Sequence, residues 1–204
     1  MKLCCISIAL ALLVSQNRTF AQGTFVYDQQ SGDESWFGSS FGNIYYQPLG
    51  QSFTPSLTEV DFVRMYVFNA GDSDAVLRVN LRADSLTGQV LGSTSPVAFP
   101  LRNTGATTFL FPASVAVTPG DTYYFQPEIL SPGASYMGLL VWVLVEAYGD
   151  RTYPGGMAYQ RGNGDPGVDL WFREGIVVVP EPSSALLFLI GGGVLLYVRR
   201  VRHR

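Results

Sequence analysis

The sequence predicts an all-β protein: an antiparallel β-sandwich of jelly-roll type, set between two hydrophobic ends. Three observations carry this. Runs alternating between apolar and polar residues recur through the middle of the 204-residue chain, and a period of two marks a half-buried strand. Clusters of Gly, Pro, Asn and Asp separate those runs at short intervals, which is turn chemistry. No long stretch of the body repeats its apolar residues with the 3.6 period of a helix. Eight or nine short strands spaced by turns fit a sandwich. An open barrel is the alternative, and strand order is not legible at this level.

The first element is a leader over residues 1–21. Lys2 is positive, Leu3 to Val14 is apolar, and Thr19-Phe20-Ala21 places small residues before Gln22. That order is a secretory signal peptide, cut between Ala21 and Gln22. Its apolar core is too short to span a membrane easily. Cys4 and Cys5, the two cysteines of the chain, lie inside it. The exported part is therefore expected to carry no disulfide and no thiolate.

The sandwich is expected over residues 22–176. Weaker strands are placed at Thr24–Asp28 and Gly50–Thr54. Glu59–Asn69 is a clear strand, closed by the turn cluster Asn69-Ala70-Gly71-Asp72. Ala75–Ala83 has the cleanest alternation: Leu77, Val79 and Leu81 share one face, and Arg78, Asn80 and Arg82 the other. Val90–Ala98 and Thr107–Phe111 follow. Thr118-Pro119-Gly120-Asp121 suits a type II turn into Thr122–Leu130, which Pro127 should make an edge or bulged strand. Gly138–Tyr148 is apolar on both faces at first, and its valines and tryptophan favour a central strand. Asp169–Val179 closes the body.

The last element spans 177–204. Pro180-Glu181-Pro182 precedes an apolar segment predicted as a transmembrane helix over 183–198, followed by Arg199, Arg200, Arg202 and Arg204. Ala185–Val198 would rise about 21 Å as a helix, short of the roughly 30 Å hydrocarbon core. Ser183 and Ser184 extend it at one end, and the arginines reach headgroups at the other. The positive-inside rule places the tail in the cytoplasm and the body outside.

The Pro-Glu-Pro motif, the apolar run and the arginine cluster, in that order, resemble the PEP-CTERM sorting signal of exported bacterial proteins. The resemblance covers about the last 25 residues. It implies processing by an exosortase at or near Pro180–Pro182, in a Gram-negative envelope and often in an exopolysaccharide matrix. The secretion machinery, the exosortase and the membrane are the implied partners. In the body, Val79 to Gly88 with Val90-Leu91-Gly92, then Thr118 to Tyr124, then Asp169 to Gly175, look similar to hairpins and the closing strand of secreted bacterial sandwich domains. Such domains resemble carbohydrate-binding modules in architecture, and architecture alone transfers no function.

Composition narrows the chemistry. Residues 22–179 hold seven arginines, no lysine and fifteen acids, which leaves −8. An acidic body without lysine is a poor nucleic-acid binder. The one histidine, His203, lies in the basic tail, so the body has no histidine base or His-metal cluster. Catalysis would then rest on carboxylates such as Glu128 and Glu146, as in glycoside hydrolysis. The aromatic stretch Ser35–Gln47 is read first as packing over one open end of the sandwich; the alternative is a glycan site there, with Trp36, Phe37, Tyr45 and Tyr46 as contacts. Asp72, Asp74, Asn163 and Asp165 are weak candidates for a structural calcium ion, since they supply hard oxygens but no complete ligand series. Ordinary turn chemistry explains them as well. No other metal or cofactor is expected. The first expectation is a non-enzymatic surface or matrix protein associated with exopolysaccharide. A carbohydrate-binding module comes second and a carboxylate hydrolase third.

Overall fold

The computed structural model describes residues 23–31, 40–42, 45–131, 137–143 and 153–179. The leader, Trp36, Phe37, Glu146 and everything from Pro180 onward lie outside them. Residues 25–177 form one compact unit. Among the described residues no helix is long and apolar enough to cross a membrane.

The body is all-β, with two antiparallel sheets packed as a sandwich. The strands are β1 (Thr24–Gln30), β2 (Ser40–Gly42), β3 (Gly50–Phe53), β4 (Glu59–Asn69), β5 (Ala75–Ala83), β6 (Val90–Ser93) and β7 (Val97–Phe99). Then come β8 (Thr104–Ala116), β9 (Tyr123–Ile129), β10 (Met137–Val143), β11 (Ala158–Gln160), β12 (Asn163–Asp165), β13 (Val168–Leu170) and β14 (Phe172–Val178). The first sheet runs β1-β14-β4-β10-β13, with β8 also on β4 and β2 also on β10. The second runs β12-β11-β3-β9-β5-β6, with β7 also on β5. The chain changes sheet at most connections, from β2 to β3, β3 to β4, β4 to β5, β7 to β8, β8 to β9, β9 to β10, β10 to β11 and β12 to β13.

Alternation sets the inner faces. Val63, Met65 and Val67 of β4 and Leu77, Val79 and Leu81 of β5 are all at most 1% exposed. They face one core, built from both sheets. The β4–β8 register shifts between Val60 and Phe62, where two steps of β4 face five of β8 (Val115 to Leu110), and Phe62 packs outside the main core cluster. There Phe25 and Tyr27 of β1 cover it edge-on, with ring centroids at 4.8 and 5.7 Å. Within the second sheet Phe53 of β3 stacks on Phe125 of neighbouring β9 at 4.2 Å. Phe172 of the opposite sheet lies 6.4 and 6.2 Å from those rings. This aromatic contact joins the two sheets.

The predicted turns hold. Asn69 Oδ1 accepts the Gly71 N–H at 3.1 Å, and its amide donates to Ser73 O and Phe99 O. Asp121 N donates to Thr118 O at 3.2 Å with Gly120 at φ +86°, a region that glycine enters at little cost. Other expectations are modified. Val90–Ala98 is two strands, because Thr94 leaves the ladder: its N–H donates to Val79 O and its hydroxyl accepts from Val79 N. Asp169–Val179 is likewise interrupted at Trp171. Ser31 closes that gap by donating to Leu170 O and accepting from Phe172 N.

Pro127 does not put β9 at the edge of the sheet. β9 lies between β3 and β5, but β3 pairs only with Tyr123–Phe125. Opposite Pro127, both polar groups of Val79 bond to Thr94, so this is a pair without ladder hydrogen bonds. Pro127 O faces the other way and accepts from Gln47 Nε2 at 3.2 Å. The missing proline N–H therefore falls where no strand waits for it.

Candidate functional site

Of the predicted glycan contacts, Tyr45 and Tyr46 are described. Tyr45 is exposed and Tyr46 is packed partly against the core. Both are tied to the β11–β12 hairpin: Arg161 N donates to Tyr46 O at 2.7 Å and its guanidinium lies 5.4 Å from the Tyr46 ring. Arg161 Nε donates to Tyr45 O at 3.4 Å. This hairpin went unread in the sequence. Arg161 and Gly162 have φ of +53° and +76°, the pattern of a type I′ turn. Arginine is an uncommon residue there, so the usual Asn-Gly signal is missing.

The calcium candidates fall in two places. Asp72 and Asp74 lie in the β4–β5 turn, where Asp74 Oδ1 accepts the Leu101 N–H at 2.9 Å. Asn163-Gly164-Asp165 is strand β12 and not a loop, and Asp165 Oδ1 accepts the Gly167 N–H at 3.3 Å. Among the described residues no three His, Cys, Asp or Glu side chains gather as a metal site would require.

The outer face of the second sheet is the best-organised polar surface. The β5–β9 register places Arg78 opposite Glu128, Asn80 opposite Gln126 and Arg82 opposite Tyr124. Arg78 pairs with Glu128 Oε2 at 2.8 Å, and Asn80 Nδ2 donates to the same oxygen at 2.9 Å and to Gln126 Oε1 at 2.8 Å. Arg82 Nε and Nη2 also reach Gln126 Oε1, both at 3.2 Å. Ser93 Oγ donates to Asn80 Oδ1 at 2.7 Å, carrying the network onto β6. Beside Arg82, Tyr124 meets Tyr159 of β11 edge-on at 5.6 Å. The Asn80 amide, and then the Arg78 guanidinium against some burial, hold the Glu128 carboxyl below its ordinary range. Glu128 is thus an ion-paired surface carboxylate. A general acid would need the opposite shift.

The shifted acids lie elsewhere, inside the body. Asp169 is 1% exposed. It accepts from Gln51 Nε2 at 2.7 Å and from Tyr153 N at 2.6 Å. Burial still raises its carboxyl to about 6. Glu174 is fully buried, and neither of its oxygens makes a well-formed hydrogen bond, although the Asp28 carboxyl and the Gln29 backbone lie close enough to act on it. Burial, and next the charge of Asp28, push it up to about 9. Burial also pulls on Asp28, but the Ser56 hydroxyl and the N–H groups of Ser56 and Leu57 hold it below the usual carboxylate range. Two neighbouring acids are thus split, with the charge on Asp28 and the proton on Glu174. The sequence held a signal for this. Glu174 shares the parity of Leu170 and Phe172, so period two alone points it inward.

Chemically, the outer face offers rings, amides and an ion pair for contact, while the acids of raised pKa are buried in the body. No protein-family model matches the chain, and no curated protein matches it.

Proposed function

We propose that the chain is an exported, non-enzymatic surface or matrix protein. A leader over residues 1–21 directs it out of the cytoplasm, and the apolar segment 183–198 holds it in the inner membrane. An exosortase then cuts at or near Pro180-Glu181-Pro182, and the body joins an exopolysaccharide-rich surface. The observation that carries this is the order of the terminal signals: Pro-Glu-Pro, apolar run, then Arg199, Arg200, Arg202 and Arg204. Each part has a physical task. The arginines resist translocation, the helix holds the motif at the membrane surface, and the prolines keep the motif extended for a protease.

The body supports a contact role over a catalytic one. Its acids of raised pKa are shut between the sheets, and its ordered polar surface is a flat ladder. Mass spectrometry of envelope and medium fractions tests the reading. Cells with an exosortase should yield a species ending near Pro180, and the variants Glu181→Ala and Pro182→Ala should accumulate the full chain. Recovery of only full-length chain bearing Arg204, with the peptidase present, overturns it.

A further inference from the structure

We propose that the outer face of the second sheet binds an uncharged pyranose polysaccharide, with Tyr124 and Tyr159 as stacking rings and Glu128 with Arg78 as the hydroxyl-binding end. This deepens the matrix reading, on which its biological setting rests, but the binding itself requires no processing.

Four features of the face lead there. The first is accessibility: the Arg78 and Glu128 side chains are each 37% exposed, and Tyr124 and Tyr159 are half-buried. The second is preorganisation. Asn80 and Gln126, 2% and 9% exposed, lock the longer side chains through the cross-strand network, so binding immobilises little that is still free. The third is the chemistry left over. Glu128 Oε2 takes Arg78 and Asn80, which leaves Oε1 as an acceptor beside guanidinium donors, a pairing that suits vicinal hydroxyls. The tyrosines supply the apolar ring surface on which the C–H face of a sugar rests. From Tyr124 to Glu128 the strand covers about 13 Å, room for a short run of sugar units and not a single one.

The fourth feature is charge. Arg78 and Arg82 are balanced by Glu128 and by Asp84, which is close enough to act on the Tyr124 hydroxyl. A balanced face on a body of net −8 gives a polyanion no Coulomb gain. The favoured chain is therefore neutral.

The test uses the full-length protein in detergent micelles, titrated calorimetrically with a panel of neutral hexasaccharides (cello-, laminari-, manno-, xylo- and malto-oligomers) and with a hexameric oligouronate. At least one neutral oligomer should bind saturably, and the oligouronate at least tenfold more weakly. Tyr159→Ala and Glu128→Gln should each weaken binding tenfold or more. Tyr159→Phe, which keeps the ring, should stay within threefold, and Tyr45→Ala should leave affinity unchanged. Melting curves check that the variants are folded. Absence of binding across the neutral panel, preference for the oligouronate, or full affinity in Tyr159→Ala overturns the assignment. Loss of binding in Tyr45→Ala instead moves the site to the aromatic loop. All of these outcomes are independent of whether the chain is ever cut at Pro180.

Discussion

Replacing Glu174 by Gln should make the protein more stable, by an amount that depends on pH in a defined way. In the folded state Glu174 keeps its proton up to about pH 9, whereas an unfolded chain releases it near the ordinary 4.5. Between those values the folded state binds the extra proton, so stability falls as pH rises. From 4.5 to 7 is 2.5 pH units, at about 1.4 kcal/mol each, a cost of about 3 kcal/mol at pH 7. By pH 9 the same reasoning gives about 6 kcal/mol, after which the penalty stops growing. The amide of the Glu174→Gln variant does not titrate and escapes the penalty, while any loss from placing an amide there is independent of pH. Urea denaturation at several pH values separates the two contributions. With a slope of about 2 kcal/mol per molar urea, the midpoint of Glu174→Gln should gain about 1.5 M on the wild type between pH 4.5 and pH 7. Titration of Asp169 occurs in both proteins and cancels in the difference. Glu174→Met should show the same pH dependence, since it too removes the titrating group. A midpoint difference that stays constant from pH 5 to pH 9 would show that Glu174 is ionised in the folded protein and that the burial argument is wrong.

Two further outcomes follow from neighbouring contacts. Gln51→Leu removes a donor from buried Asp169 and leaves the Leu170 N–H without its acceptor, at a cost of about 3 kcal/mol. Chemical denaturation should show a larger loss at pH 8 than at pH 5, where Asp169, titrating near 6, needs that donor less. Gly175→Ala should destabilise by about 2–3 kcal/mol, because a Cβ there would meet the Val26 carbonyl oxygen at 2.0 Å. Hydrogen exchange should localise the damage to β1 and β14, and uniform loss of protection across both sheets would contradict this.

Much of the fold was legible because it is local. β4 and β5 occupy the residues that alternation assigns them, and Leu77, Val79 and Leu81 face the core as read. The turns at Asn69 and at Pro119-Gly120 follow from side-chain chemistry within four residues. The residue order on which the proposed terminal signals rest, and the absence of a body histidine, are also properties of the sequence alone. What needed tertiary structure is what depends on neighbours distant in the chain. Pro127 is tolerated because β3 ends before reaching it. Tyr124 and Tyr159 meet because β9 and β11 flank the same strand. Glu174 points inward by parity, but only the closure of β1 over β14 brings Asp28 beside it and separates their proton affinities. The periodicity of a strand is written in its own residues. Which strand lies alongside, and in what register, is a property of the assembled sheets.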